Sequence, residues 1–321
     1  MDIEILLTLQ ALRNGASVFW AELFSKVTFL SELDTVLVVM AAVYWSLNKE
    51  LGTYLLMGWS GNRLLNGVLK VTACVYRPWI RDARIVPYGN STVTATGYSF
   101  PSGHSTNAAT VYGGTALRQE TPKALRVLLL LFVALVMFSR LFLGVHTPQD
   151  VLVGAGVSLI VMWLTLLLMR WLDTHPEKDL LVAAAGIFLA IAIALYAALK
   201  SYPADYDEAG KLIVDGAKMA NDTFKSVGWS SAFLVGWILE RRYVNFSTSV
   251  SLPRRLLRIV IGLAVHASIT LLLLPLIKKW IPGPAGTVAS CFLQMFWVSF
   301  LFPWCIVLAE RLIGRHSSGR V

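Results

Sequence analysis

LRVLLLLFVALVMFSRLFLGVHTPQDVLVGAGVSLIVMWLTLLLMRWL, residues 125–172, consists of two apolar runs joined by a short polar turn. Leu125–Val145 and Val151–Leu172 each approach the roughly twenty apolar residues that cross a bilayer. Pro148 forces a tight turn between them, and Asp150 opens the second helix. Comparable runs at Leu180–Leu199, Leu256–Ile277 and Val288–Ile313 carry the pattern along the chain. Of 321 residues, 56% are hydrophobic and only 15% are charged, against roughly a quarter charged in average soluble domains. The expected fold class is all-α, a polytopic membrane helical bundle.

Working outward, Asp34–Leu47 and Leu51–Val75 read as two further spans, followed by a loop, Tyr76–Phe100, rich in Gly, Pro, Thr and Arg. A helix is expected from about Ser102 to Leu117, where Ala108, Ala109, Gly113 and Gly114 suit close helix packing. A span near Val227–Glu240 brings the expected total to about nine. Residues 1–31 read as amphipathic interfacial helices broken at Asn14-Gly15. Residues 32–200 form the expected catalytic core and residues 201–321 an additional C-terminal transmembrane region. The N-terminus, MDIEILLTLQALRNG, is acidic and amphipathic, unlike a cleavable signal peptide.

The net charge is +9. Most basic residues fall in short loops between apolar runs, as the positive-inside rule expects, so no nucleic-acid partner is inferred. The loops holding Arg118, Lys123 and Arg126, Arg170 and Lys178, and Arg241–Arg258 are expected in the cytoplasm, with the tail Arg311–Val321. The Tyr76–Phe100 loop, the His146 turn, Ser201–Lys225 and the N-terminus then face the periplasm or exterior of a bacterial inner membrane. Lys278-Lys279 breaks the charge rule on that side, and Trp280 beside it suits an interfacial anchor. Cys74, Cys291 and Cys305 lack metal-type spacing and read as small hydrophobes. The sequence specifies no oligomeric state.

Three blocks carry chemistry: Lys70–Pro78 (KVTACVYRP), Phe100–Ser105 (FPSGHS) and Ser139–Asp150 (SRLFLGVHTPQD). The topology brings all three to one membrane face. Pro101-Ser102-Gly103-His104 suits a helix N-terminus, where free amides and the helix dipole favour an anion, and the Ser102 hydroxyl can donate as well. Lys70 and Arg77 lie at the outer end of a span, where a lone cation can also snorkel. Arg140 lies inside an apolar run, where a charge usually faces a polar interior. Three cations around a phosphoryl group would stabilise in-line displacement. Asp150, four residues after His146, can accept from Nδ1 and leave Nε2 free to attack phosphorus. His104 can protonate the departing oxygen and then activate water. No metal or other cofactor is required. His175, His266 and His316 have no companions and read as structural or surface residues.

Together these blocks resemble the type 2 phosphatidic acid phosphatase family, which shares its active site with vanadium haloperoxidases. The family pattern K-x6-RP, PSGH, SR-x5-H-x3-D is met at Lys70, Arg77 and Pro78, at Pro101 through His104, and at Ser139, Arg140, His146 and Asp150. The resemblance implies a phosphohistidine at His146 oriented by Asp150, acid–base work by His104, and phosphate binding by Lys70, Arg77, Ser102, Gly103 and Arg140. The implied substrate is a membrane lipid phosphate or diphosphate, of the undecaprenyl diphosphate, phosphatidic acid or phosphatidylglycerol phosphate type. A soluble sugar phosphate, phosphotransfer between lipids, and a non-catalytic transporter or lipid-binding protein are the alternatives. The region from about Ser201 to Val321 exceeds the minimal family pattern.

Overall fold

The structure, a computed structural model, describes residues 2–318, with side chains to residue 312. The chain is all-α, with no β-strand among the described residues. Helices α1 (Asp2–Gly15) and α2 (Val18–Phe29) precede α3 (Leu33–Ala42), which runs on through a π-helical turn to Leu47. The long α4 (Lys49–Ala73) leads to a short α5 (Pro78–Arg81) in the following loop. α6 (Gly103–Ala108) and α7 (Gly114–Leu117), joined by a π turn, form one rod. Then come α8 (Lys123–Phe142), α9 (Pro148–Thr174), α10 (Asp179–Leu199) and α11 (Gly216–Leu239). α12 (Leu252–Ser268) with α13 (Leu274–Trp280), and α14 (Pro284–Phe296) with α15 (Phe302–Ser318), close the bundle as two more π-interrupted rods.

Local sequence sets the ends of these helices. Asn48 caps α4 by accepting from the Leu51 amide at 2.9 Å, and Asp215 caps α11 by accepting from Ala217 and Lys218. α9 starts with a capping box between Thr147 and Asp150, with Pro148 in the first turn. α4 ends where Cys74 takes a left-handed conformation (φ 48°).

Length and apolarity by themselves qualify five membrane spans among the described residues: Lys123–Phe142, Pro148–Thr174, Pro176–Leu199, Leu252–Trp280 and Pro284–Leu312. A sixth qualifies if Val18–Phe29 and Leu33–Leu47, bent by 51° at their junction, count as one. The count of nine expected from sequence adds Leu33–Leu47 by itself and three inner rods, of which α4 and α11 are too polar to qualify and α6–α7 (Gly103–Leu117) is also too short. Their polarity is consumed inside the bundle. Asn62 donates to Thr110 Oγ1 at 2.8 Å, Asn66 to Thr106 Oγ1 at 3.0 Å, and Ser230 to the Ser60 carbonyl at 3.0 Å. Hydropathy reports lipid contact, and these helices contact other helices instead. Leu128, Leu131, Phe188, Leu199, Leu271 and Leu272 form part of the exposed apolar exterior.

α2 packs its Phe24 against Phe138 and Phe142 of α8. Its C-terminal end penetrates far enough for the Ser31 carbonyl to accept from Asn107 at 3.0 Å. The C-terminal region shares one core with the rest: Trp45, Trp59 and Tyr54 pack in the same buried cluster as Phe233, Met295 and Phe302. Trp45 Nε1 donates to the Val298 carbonyl at 2.8 Å across that junction. α11 also lies directly against α4, where Trp229 packs on Trp59 with ring centroids 5.7 Å apart.

The α6 entry is held on α9 by a close backbone approach at Gly154. A Cβ there would stand 2.8 Å from the Ser102 carbonyl oxygen and 3.3 Å from its nitrogen, and backbone cannot swing aside as a flexible side chain can. Gly154→Ala is expected to destabilise the protein by about 1–3 kcal/mol through overpacking, read as a lowered Tm in detergent. An unchanged Tm would show that the two helices separate without cost.

Candidate active site

Three loops meet at one end of the bundle. After Cys74 the chain turns back, and the Ser99 amide donates to the Val75 carbonyl at 2.7 Å. The Arg77 guanidinium is the peg around which this loop wraps. It donates from Nε to Gly97 at 3.0 Å, from Nη2 to Thr96 at 3.1 Å and from Nη1 to Val145 at 3.1 Å, all backbone carbonyls. α8 ends at Phe142, and Gly144, just after its cap, has a φ of 75° that lets the chain reverse toward α9. Arg13 of α1 fixes that reversal by donating to the carbonyls of Phe142 at 3.0 Å and Val86 at 2.7 Å.

His146 sits in the reversal, buried. Its Nδ1 lies 3.3 Å from Asp150 Oδ2, and its Nε2 lies 2.9 Å from Arg77 Nη1. A guanidinium only donates, so Nε2 must present a lone pair and Nδ1 must carry the proton given to Asp150. The same Oδ2 accepts from the Thr147 amide at 2.8 Å and from the Ser99 hydroxyl. Burial, then the Arg77 charge, hold the His146 imidazole well below its ordinary range, with Asp150 pulling the other way. A lowered pKa keeps the neutral ring, and with it the Nε2 lone pair, populated below pH 6.5.

Opposite, α6 begins at Ser102. The Ser102 amide donates to the Asp150 carbonyl at 2.9 Å, which ties the helix entry to α9. Ser102 Oγ accepts from the Ser105 amide at 3.4 Å and from the Ser105 hydroxyl at 3.0 Å, so it serves as an N-cap. His104 Nε2 is buried without a partner among the described residues, as are Nε and Nη2 of Arg140. Lys70 makes one bond, from Nζ to the Tyr98 carbonyl at 3.2 Å. Lys70, Arg77, Arg140 and His146 all lie near enough to His104 to act on it electrostatically.

A cavity of about 320 Å³ opens among these groups. Of the eight residues expected from sequence, Lys70, Arg77, Gly103, His104 and His146 line it directly. Ser102, Arg140 and Asp150 are buried behind that lining. Lys70 with unspent donors, the Arg77 guanidinium and the rings of His104 and His146 therefore border a small polar space, an arrangement suited to an anion.

Sequence reasoning missed several contributors. Ser99 touches both His146 and Asp150, but no spacing rule marks the residue two before Pro101. Arg13 and Gly154 act through backbone groups far away in the chain. The cavity also has walls from Glu32 and Asp34 at the α2–α3 break, and from Asp222, Lys225 and Trp229 of α11. His175 is exposed and stacks on Trp171 at 5.0 Å, whereas His266 is half-buried with Nδ1 unpartnered. The His316 side chain lies outside the described residues. The three cysteines are free. Among the described residues, no group of three or more His, Cys, Asp and Glu side chains is placed to hold a metal ion.

Residues 51–174, which contain every one of the expected site residues, match the family model described as PAP2 superfamily. Residues 224–312 match a second, described as PAP2 superfamily phosphatase, transmembrane extension. The chain carries a PAP2 superfamily domain followed by that superfamily's transmembrane extension. Among curated relatives, it is 33% identical over 140 residues to phosphatidylglycerophosphatase B of Bacillus subtilis, covering 41% of this chain and 64% of that protein. It is 35% identical over 85 residues to undecaprenyl-diphosphatase of Sulfolobus acidocaldarius, covering 26% of this chain and 39% of that protein. The chain thus spans less than two thirds of either relative's length. No solved structure matches it.

The protonation pattern at His146 can be read directly. In protein labelled with ¹⁵N-histidine, the resonances lost in His146→Gln should report a neutral ring with the proton on Nδ1 at pH 6.5. A charged ring, or a proton on Nε2, would contradict the assignment.

Proposed function

We propose that this protein is a membrane phosphatase that hydrolyses a lipid phosphate or diphosphate through a phosphohistidine at His146, without a metal. The observation that carries the reading is the His146 ring, held by the Asp150 bond with its Nε2 lone pair on Arg77, in the wall of a cavity edged with cations. The names of the two relatives, both lipid phosphatases, support the lipid substrate. So does the position of the site within a bundle of apolar helices.

In the proposed cycle, Lys70, Arg77 and Arg140 neutralise the phosphoryl oxygens, and the free amides of the α6 entry at Gly103 add donors. His146 Nε2 attacks phosphorus while the bond from phosphorus to the leaving oxygen breaks. Protonated His104 gives its proton to that oxygen. Asp150 stabilises the charge that develops on the His146 ring. Water then attacks the phosphohistidine, His104 takes a proton from it, the P–N bond breaks, and phosphate leaves with His146 restored. Arg77 must hand its Nη1 donor from His146 to a phosphoryl oxygen when substrate arrives, because both would claim the same N–H. The loop charges support a site facing the periplasm or cell exterior, with the C-terminus in the cytoplasm.

Phosphate release by the purified protein from phosphatidic acid, phosphatidylglycerol phosphate and prenyl diphosphates, with chelator present, tests this reading. His146→Ala is expected to abolish release. Asp150→Asn should lower kcat by about a hundredfold or more by freeing the ring to take the wrong tautomer. Undiminished turnover in His146→Ala would defeat the mechanism.

A further inference from the structure

The cavity does not end at the phosphoryl-binding groups. Arg63, Asn66, Gly67 and Lys70 all line it, and these positions fall on one face of α4. Asp222, Lys225, Ser226 and Trp229 line the opposite wall, on one face of α11. The polar space is therefore a slot between two helices. Seven residues separate Arg63 from Lys70, about 10 Å along the axis, and Arg63 is the deeper of the two.

Arg63 has no hydrogen-bond or ion-pair partner among the described residues, and its Nε is buried. The nearest carboxylate on α11, Asp222, is engaged by Lys225 at 2.6 Å instead. What Arg63 does have is a platform: its guanidinium lies over the Trp229 ring, 5.5 Å from the centroid. Trp229 is itself fixed by donating from Nε1 to Gln294 Oε1 at 2.8 Å. An arginine inside a membrane bundle is costly, and leaving it unpaired costs more. A planar donor held on an aromatic face and open to the substrate cavity is a receptor for an oxyanion.

We propose that Arg63, on its Trp229 platform, binds a second phosphate carried by the leaving group of the substrate. This rests on the phosphatase reading and narrows it. The enzyme would select phosphomonoesters whose departing alcohol bears its own phosphate. Two cations two helical turns apart suit phosphates separated by a short carbon linker better than phosphates sharing a bridging oxygen. Asn66 stands between them. Its amide is spent on Thr106 Oγ1, which leaves Oδ1 to accept from a linker hydroxyl. On this account α11, just before and within the transmembrane extension, supplies part of the specificity wall.

The test uses full-length protein in detergent carrying His146→Ala, which prevents turnover, with glycerol 1,3-bisphosphate and glycerol 3-phosphate as soluble probes. The bisphosphate should bind at least tenfold more tightly. Adding Arg63→Gln should erase that margin, and Arg63→Lys should keep part of it. Equal affinities in the parent, or an unchanged margin in Arg63→Gln, would overturn the proposal. Should Arg63→Gln fail to purify, the parent margin and its reduction in Arg63→Lys decide. With His146 intact, the kcat/KM ratio of phosphatidylglycerol phosphate to phosphatidic acid should fall at least tenfold in Arg63→Gln. If no lipid is hydrolysed by the unmodified protein, the phosphatase reading fails, while the binding margin still decides the role of Arg63.

Discussion

Oδ2 of Asp150 accepts from three groups at once: the Thr147 amide, the Ser99 hydroxyl and Nδ1 of His146. The first bond starts α9, the second anchors the loop that leads into α6, and the third fixes the imidazole. Among the described residues, no other side chain bonds to all three. The backbone of the same residue completes the arrangement, since its carbonyl accepts from the Ser102 amide at the α6 entry. A buried carboxylate with this many donors remains ionised, and an ionised carboxylate is what keeps the ring proton on Nδ1. Architecture and proposed chemistry thus depend on one side chain.

Around that anchor, the bundle is organised by where polarity can be afforded. The outer helices α8, α9 and α10 are apolar enough to face lipid. α4, α6–α7 and α11 carry Asn62, Asn66, Thr106, Thr110 and Ser230, and they are stable in a membrane protein because these groups satisfy one another. The same inner helices line the polar cavity. Lys70, Arg63 and His104 project into it from helix faces already turned inward, while Arg77 and His146 come from the loops at one end of the bundle.

These roles explain which parts of the molecule were legible in the sequence. The apolar runs announced α8, α9 and α10, since lipid contact writes itself directly into composition. The inner helices were harder to count as spans because their hydropathy records neighbours rather than lipid. At the site, Lys70, Arg77, His104 and His146 were legible through spacing, and all four line the cavity. The Ser102 hydroxyl accepts from the Ser105 amide and hydroxyl, which leaves its own O–H to donate. Ser99, Arg13, Gly154 and Arg63 were not legible. Their contributions come from three-dimensional proximity to distant backbone, to the Asp150 and His146 side chains or to Trp229, and no local pattern encodes that.

The most direct measurement of the central claim is chemical trapping of the intermediate. Protein mixed with ³²P-labelled substrate and quenched in alkali should yield acid-labile, alkali-stable label on the peptide containing His146. His104→Ala, impaired in activating water, should accumulate more of it when the leaving group needs no proton. Phosphate release without labelled protein, or label on any other residue, would contradict the account.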